Sequence, residues 1–268
     1  MIEPSQAVVT TPRRPKAVDV AEARAEAARL GCRYVERRSQ GWEKLVETTG
    51  ARAVLAVAHG DRALWLPGMT VPWRFHGGMA VLRIRRMIAG VEPDPFLAAC
   101  DVRAGDRFLD CTGGACADAL VAAHAVGEGG HVEVIEASAL LHAVTGHGAR
   151  HVRFGEAPID AALSRMHVTL GDHLEVLRSL PDRSYDVVYF DPMFRETTTA
   201  APGFDVVRAL ADPRPLAAEA LAEARRVARR RVVLQDRKTG GELERLGLPE
   251  LPVMSRYAQV RFGGLVFA

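Results

Sequence analysis

The sequence predicts an α/β protein: a doubly wound, largely parallel sheet with an antiparallel edge over residues 91–268, preceded by a small amino-terminal α/β element over 1–90. Three observations carry this. From about residue 96, strand-length apolar runs alternate with helix-length segments, the signature of a parallel sheet. Two apolar runs, Phe108-Leu-Asp110 and Tyr185-Asp-Val-Val-Tyr-Phe-Asp191, each end in an acid followed by a turn, Cys-Thr-Gly-Gly-Ala-Cys116 in one case and Pro192 in the other. Two strand-like runs at the carboxyl end, Val253–Tyr257 and Gln259–Phe267, follow without a clear helix between them, as an antiparallel edge requires.

In chain order, Ala7–Thr11 reads as a strand and Val18–Leu30 as an alanine-rich helix stopped by Gly31. Cys32–Val35 is a second strand, and Trp42–Thr49 has helical spacing up to Gly50. Val54–Val57 and Ala63–Leu66 flank His59-Gly60-Asp61-Arg62 as a hairpin. Met79–Ile88 is a helix closed by Gly90, and the Pro93–Pro95 break marks the boundary. Strands then fall near 106–110, 131–135, 166–170, 186–190 and 231–235, with helices near 115–125, 138–149, 173–179 and 214–229.

Composition bounds the function. A chain of 268 residues, 48% of them hydrophobic, can bury a full core. A net charge of +2 sets up no global field that demands nucleic acid. Only Lys16, Lys44 and Lys238 among the cations are lysine, so the arginine excess is read as genomic base composition. The amino terminus lacks a basic and apolar leader pattern, and no run of about 18 apolar residues occurs. A cytoplasmic protein with no membrane partner is expected. Cys32, Cys100, Cys111 and Cys116 form no CxxC pair, so reduced thiols are expected. His124, His131, His142, His147 and His151 show no metal-ligand spacing, and no metal is expected. No Gly-x-Ser-x-Gly elbow occurs.

Open α/β sheets bind ligands beyond the carboxyl ends of their strands, so the acids there are the candidates. Glu136 ends the second strand of the larger domain about 26 residues after Asp110, where a carboxylate accepts from both hydroxyls of a ribose. Asp172, after the third strand, is placed to accept from an adenine amine. Asp110 either orders its turn or meets an ammonium group. Each acid also has a simpler reading as the cap of the next helix.

These residues carry a resemblance. Asp110-x-Thr112-x-Gly114-x-x-x-Asp118-Ala119, Glu136 and Tyr-Phe-Asp191-Pro192-Met193-Phe194 resemble the RsmJ-like branch of class I S-adenosylmethionine-dependent methyltransferases, which have a Rossmann-like sheet. Phe75-His76-Gly-Gly-Met79-Ala80 before Leu82-Arg83-Ile84-Arg85-Arg86, and Arg231-Val-Val-Leu234, are also similar, so the likeness spans about 70–236. Cys116 and Arg195 depart from it, standing where that family usually has glycine and proline. The resemblance implies S-adenosylmethionine as cofactor, held by Asp110, Thr112, Gly114, Asp118, Glu136 and Asp172. It implies catalysis at Asp191, Pro192 and Phe194, and substrate contacts from Met193, His76, Arg83, Arg85 and Arg86. The acceptor it implies is guanine N2 in small-subunit ribosomal RNA.

The residue chemistry points the same way. An exocyclic nucleobase amine is a weak nucleophile, because its lone pair is delocalised into the ring. Asp191 and the Pro192 carbonyl are suited to accept its two protons, and Phe194 offers a stacking face for an extruded base. Arg83, Arg85 and Arg86, with Arg74 and His76, form either a phosphate-binding face or a helix end whose cations answer the dipole. Three alternatives stand beside this: a methyltransferase of a small molecule or protein, a non-catalytic nucleoside-binding module, and a dinucleotide oxidoreductase. The missing Gly-x-Gly-x-x-Gly loop and second sheet half argue against the third.

Overall fold

A computed structural model describes residues 1–91, 93–192, 204–253 and 259–267. Its strands are β1 (Ala7–Thr10), β2 (Arg33–Tyr34), β3 (Ala53–Ala58), β4 (Asp61–Trp65), β5 (Trp73–Arg74), β6 (Arg107–Asp110), β7 (His131–Glu136), β8 (Met166–Leu170), β9 (Tyr185–Phe190), β10 (Ala228–Arg237) and β11 (Val260–Val266). The helices are α1 (Ala17–Leu30), α2 (Trp42–Thr49), α3 (Gly78–Ile88), α4 (Pro95–Cys100), α5 (Ala117–Ala125), α6 (Ala139–His151), α7 (Ala157–Ser164), α8 (His173–Ser179), α9 (Phe204–Leu210), α10 (Ala218–Val227) and α11 (Glu242–Leu246). Among the described residues the chain forms two compact units. One comprises 1–76, 138–152 and 204–211; the other comprises 77–137, 153–192, 212–253 and 259–267.

The first unit is built on a five-stranded sheet in the order β2-β1-β3-β4-β5. β1 runs parallel to β2 and β3, while β3, β4 and β5 are joined antiparallel. Apolar residues of β1 and β3, Val8 and Val54, pack with Leu45 and Trp65. Helix α1 buries Ala23, Ala27 and Leu30 and ends where Gly31 takes φ +68, a left-handed conformation free of cost only for glycine. Helix α6 packs on β4, and its Gly148 admits the Phe75 ring, since a Cβ there would stand 2.3 Å from that side chain.

The second unit has six strands in the order β11-β10-β9-β6-β7-β8. β8, β7, β6, β9 and β10 are mutually parallel and β11 closes the edge antiparallel to β10. The order reverses between β6 and β9, which opens a crevice at the carboxyl ends of those two strands. Leu109, Val188, Phe190, Val232 and Leu234 meet Ala220, Ala224 and Val227 of α10 in the core. Such strands are apolar on both faces because helices cover both.

Several elements differ from the sequence expectation. Helix α3 falls in the second unit although the expected boundary was at residue 90, and α6 falls in the first. The Pro93–Pro95 break starts a helix: Pro95 is in the first turn of α4 and Asp94 caps it, accepting from the Phe96 and Leu97 amides at 3.1 and 3.3 Å. β5, α7, α9 and α11 were not expected. Helix α10 ends at Val227, short of the expected 229, and Arg229, Arg230 and Arg231 stand on β10. There Arg229 donates to the Arg183 carbonyl, Arg230 pairs with Asp106, and Arg231 donates to the Ala99 carbonyl. Residue 253 is outside any strand, and 254–258 of the expected run Val253–Tyr257 lie outside the described residues.

One buried acid ties the antiparallel edge to the sheet. Asp236 on β10 is fully buried and accepts from the Arg237, Glu242 and Leu243 amides and from Arg261 of β11 at 3.0 Å. Removing the carboxylate strips three backbone amides of their acceptor and leaves Arg261 paired with the exposed carboxylates of Glu244 and Glu250. Asp236→Ala is expected to destabilise the protein by about 3–5 kcal/mol in urea denaturation; a loss under about 1 kcal/mol would show that the edge does not depend on it.

Candidate active site

The crevice between β6 and β9 is organised by one hydroxyl. Asp110, at the end of β6, accepts from the Thr112 amide at 2.9 Å and from the Thr112 hydroxyl at 3.3 Å. That hydroxyl accepts from the Asp191 amide at 2.6 Å. Of its two readings, Asp110 is therefore seen ordering the turn. Thr112 joins the turn after β6 to the residue after β9, which sets the backbone of the candidate catalytic acid against the candidate cofactor turn.

The loop then runs tight against β7. A Cβ on Gly113 would stand 2.8 Å from Val134 and 3.2 Å from the Ile135 carbonyl, to which the Gly113 amide donates at 2.8 Å. The Gly114 amide donates to Glu136 Oε2 at 2.7 Å, so the acid expected to hold a ribose also fixes the loop. Cys116 opens α5 at φ +59, a conformation that glycine takes without strain. This accounts for the glycine usual there in the resembling family.

Below the loop runs a chain of polar side chains in which Asp94, Tyr189 and Gln235, for which sequence reasoning found no role, join Arg83, Asp118 and Asp191. Arg83 of α3 pairs with Asp94 at 2.7 Å and with Asp118 at 2.5 Å. The Tyr189 hydroxyl donates to the other Asp118 oxygen at 2.8 Å and lies 3.2 Å from Gln235 Oε1. The Gln235 side chain in turn hydrogen-bonds the Asp191 carboxylate. Tyr189 and Gln235 both stand near strand ends at this edge, the one sequence signal that was available for them.

The crevice is short of positive charge. Burial pushes the Asp110 carboxyl up to about 7, with Asp118 and Glu136 adding repulsion against the two Thr112 hydrogen bonds. Burial likewise holds Asp191 well above the usual carboxylate range, reinforced by Asp118 and Asp110 and opposed by Gln235 and Arg83. Acids gathered this way favour a cationic ligand. S-adenosylmethionine, with its sulfonium and ammonium, fits this chemistry: Asp110 and Asp118 would answer its positive groups, the turn at Gly114 would allow close approach, and Glu136 would accept from its ribose.

Other expected residues are placed differently. Asp172 caps α8, accepting from the Leu174 amide at 2.9 Å, and its second oxygen takes Arg214 at 2.7 Å. Arg83 is not part of an open cationic face, because two carboxylates hold it with its side chain 21% exposed. Arg85 is exposed but paired with Glu156 at 2.5 Å, and Arg86 is exposed with no ion pair among the described residues. His76 belongs to the first unit, exposed and edge-on to Trp73. Pro192 follows Asp191 in the described chain, whereas Met193 and Phe194 lie outside the described residues.

Two measurements check this geometry. Asp110 has an ordinary value of 3.8. As pH rises from there toward 7, the unfolded chain loses the Asp110 proton while the folded protein keeps it, so stability falls across that window. Asp110→Asn is expected to make the ligand-free protein lose less stability between pH 4.5 and 7.5 than wild type does; equal losses would show that the carboxyl is not protonated in the fold. Glu136→Ala is expected to weaken S-adenosylmethionine binding by at least about tenfold in calorimetry, the effect of losing charge-assisted bonds.

Comparison with known proteins places the chain. Residues 70–249 match the family described as "Putative SAM-dependent methyltransferase", SAM being S-adenosylmethionine. The chain is 35% identical over 240 residues to protein YpiP of Bacillus subtilis, covering 90% of this chain and 92% of that one. It is 32% identical over 177 residues to ribosomal RNA small subunit methyltransferase J of Laribacter hongkongensis, covering 63% of this chain and 60% of that one. A crystal structure of a SAM-dependent methyltransferase from Neisseria gonorrhoeae shares the fold, with a TM-score of 0.57 at 18% identity over 97% of this chain and 95% of that one. Among the described residues no helix is long and apolar enough to cross a membrane. The chain belongs to this family of SAM-dependent methyltransferases, class I in fold, and its cofactor is S-adenosylmethionine.

Proposed function

We propose that the enzyme methylates an exocyclic nucleobase amine, guanine N2 in small-subunit ribosomal RNA, and works in the cytoplasm. The observation that carries this is Asp191, fixed through its amide by Thr112 and through its carboxylate by Gln235 at the carboxyl end of β9. Similarity to ribosomal RNA small subunit methyltransferase J supports the acceptor. S-adenosylmethionine would supply an electrophilic methyl group on a sulfonium, whose carbon–sulfur bonding pair leaves with the neutral thioether.

The residues of the chain do the rest. A cation in the crevice favours the ionised form of Asp191, which burial otherwise disfavours. The ionised carboxylate accepts a hydrogen bond from one amine N–H and the Pro192 carbonyl one from the other, which turns the nitrogen lone pair out of conjugation. The proton that nitrogen loses as its bond to carbon forms passes to Asp191. Phe194 stacks on the extruded base, worth roughly 1–3 kcal/mol and comparable with the few kcal/mol that extrusion costs. The rival reading, a small-molecule acceptor, draws support from the pairing of Arg83 and Arg85 with carboxylates, which takes both away from phosphate.

Asp191→Ala is expected to leave cofactor affinity within a few-fold of wild type and to lower methyl transfer by roughly a hundredfold or more. Loss of cofactor binding or of folding would make the carboxylate structural. Labelled methyl transfer to small-subunit RNA or its assembly intermediates, followed by nucleoside analysis, is expected to yield N2-methylguanosine. Label found only in protein or a metabolite would overturn the RNA acceptor.

A further inference from the structure

Arginines that pair with carboxylates are poor phosphate ligands, and α3 has two of them. The first unit carries the opposite arrangement. β1 and β2 are parallel, with Val8 opposite Arg33 and Val9 opposite Tyr34, so the loops 11–16 and 35–41 leave from the same edge of the sheet. The Thr10 hydroxyl donates to the Val35 carbonyl at 2.6 Å and pins the two strand ends together. Helices α1 and α2 begin at this edge, turning their positive ends toward it.

Five cations stand on these loops: Arg13, Arg14, Lys16, Arg37 and Arg38. All but Arg37 are exposed, and among the described residues none of the five side chains has an ion pair. The local acids do not balance them. Asp19 is buried and bound to the Lys16 and His59 amides, which leaves the exposed Glu36 and Glu43.

Arg37 is the buried cation of this edge. It is 6% exposed and lies 3.3 Å over the Trp42 ring, which stacks on the fully buried Trp65. Its Nε donates to the Gln40 carbonyl at 2.9 Å, and its remaining edge has no hydrogen bond among the described residues. Burial and the neighbouring Arg13 both disfavour its charge. Gln40 Oε1 in the same loop is buried and accepts no hydrogen bond among the described residues. A desolvated guanidinium next to a second cation is costly unless an anion meets it. A polynucleotide backbone offers both anionic oxygens and ribose hydroxyls.

We infer that this edge, formed by Arg13, Arg14, Lys16, Arg37 and Arg38, grips the phosphodiester backbone of RNA, an inference that rests on the RNA reading above. The grip fixes the register of the RNA and carries no base specificity.

The full chain is tested with a fluorescent RNA hairpin from the small subunit across a salt series. Changing Arg13, Arg14, Lys16 and Arg38 together to glutamate is expected to weaken RNA binding at least about tenfold and to flatten the logarithmic salt slope by roughly 0.7–0.9 for each phosphate that is no longer neutralised. S-adenosylmethionine affinity is expected to stay unchanged, and KM for RNA to rise with little change in kcat. Arg37→Lys, which keeps the charge but loses the planar stack, is expected to weaken RNA binding several-fold. If wild type methylates RNA and both variants bind it equally well, the grip is refuted and the acceptor reading stands. If wild type binds RNA through these residues but transfers no methyl to it, the acceptor reading fails and the grip stands. Failure of wild type to bind RNA would refute both.

Discussion

Asp110, Asp118, Glu136 and Asp191 converge on one edge of the parallel sheet, and the surrounding bonds answer the repulsion between them. Like charges placed together out of water keep their protons or recruit donors. Asp110 is raised to about 7 even with two hydrogen bonds from Thr112. Asp118 takes Arg83 and Tyr189, Glu136 takes the Gly114 amide, and Asp191 takes Gln235. A sulfonium amino acid, with two cationic groups against one carboxylate, suits such a crevice because it brings positive charge.

The same bonds make the site a single mechanical piece. Thr112 links the turn after β6 to Asp191, and the chain from Asp94 through Arg83, Asp118, Tyr189 and Gln235 reaches that residue from the other side. The elements involved include α3, α5 and β10, all distant in sequence from the acceptor turn. Preorganisation of this kind matters in methyl transfer because the protein's part is to hold the acceptor at one angle while contributing little covalent chemistry.

Electrostatics divides the cations of the chain into two kinds. Arg83, Arg226, Arg230 and Arg261 sit between carboxylates or carbonyls and serve the fold. The cations on the loops after β1 and β2 have no carboxylate partner among the described residues, and Arg37, bonded only to the Gln40 carbonyl, stacks its charge on Trp42. Arginine content alone does not separate these kinds, because the same side chain is structural in one setting and ligand-seeking in the other.

Local signals in the chain were enough for the α/β class, the parallel strands β6 to β10, the antiparallel edge and the placing of Asp110, Glu136 and Asp191 at carboxyl ends. Those features follow from hydrophobic period and from acids and glycines next to strand ends. Thr112, Gly114 and Asp118 were legible through a resemblance. Folding settled what pairing controls. Arg83 turns inward because Asp94 and Asp118 lie on elements that pack beside α3, Asp172 caps α8 and is salt-bridged to Arg214, and Arg230 on β10 is held by Asp106. The short helices α4, α7 and α11 were unreadable because five to eight residues hold too little periodicity to oppose a nearby proline or glycine. Partners brought together over long sequence separations leave no trace in spacing, and so the roles of Tyr189 and Gln235 emerge only from the folded chain.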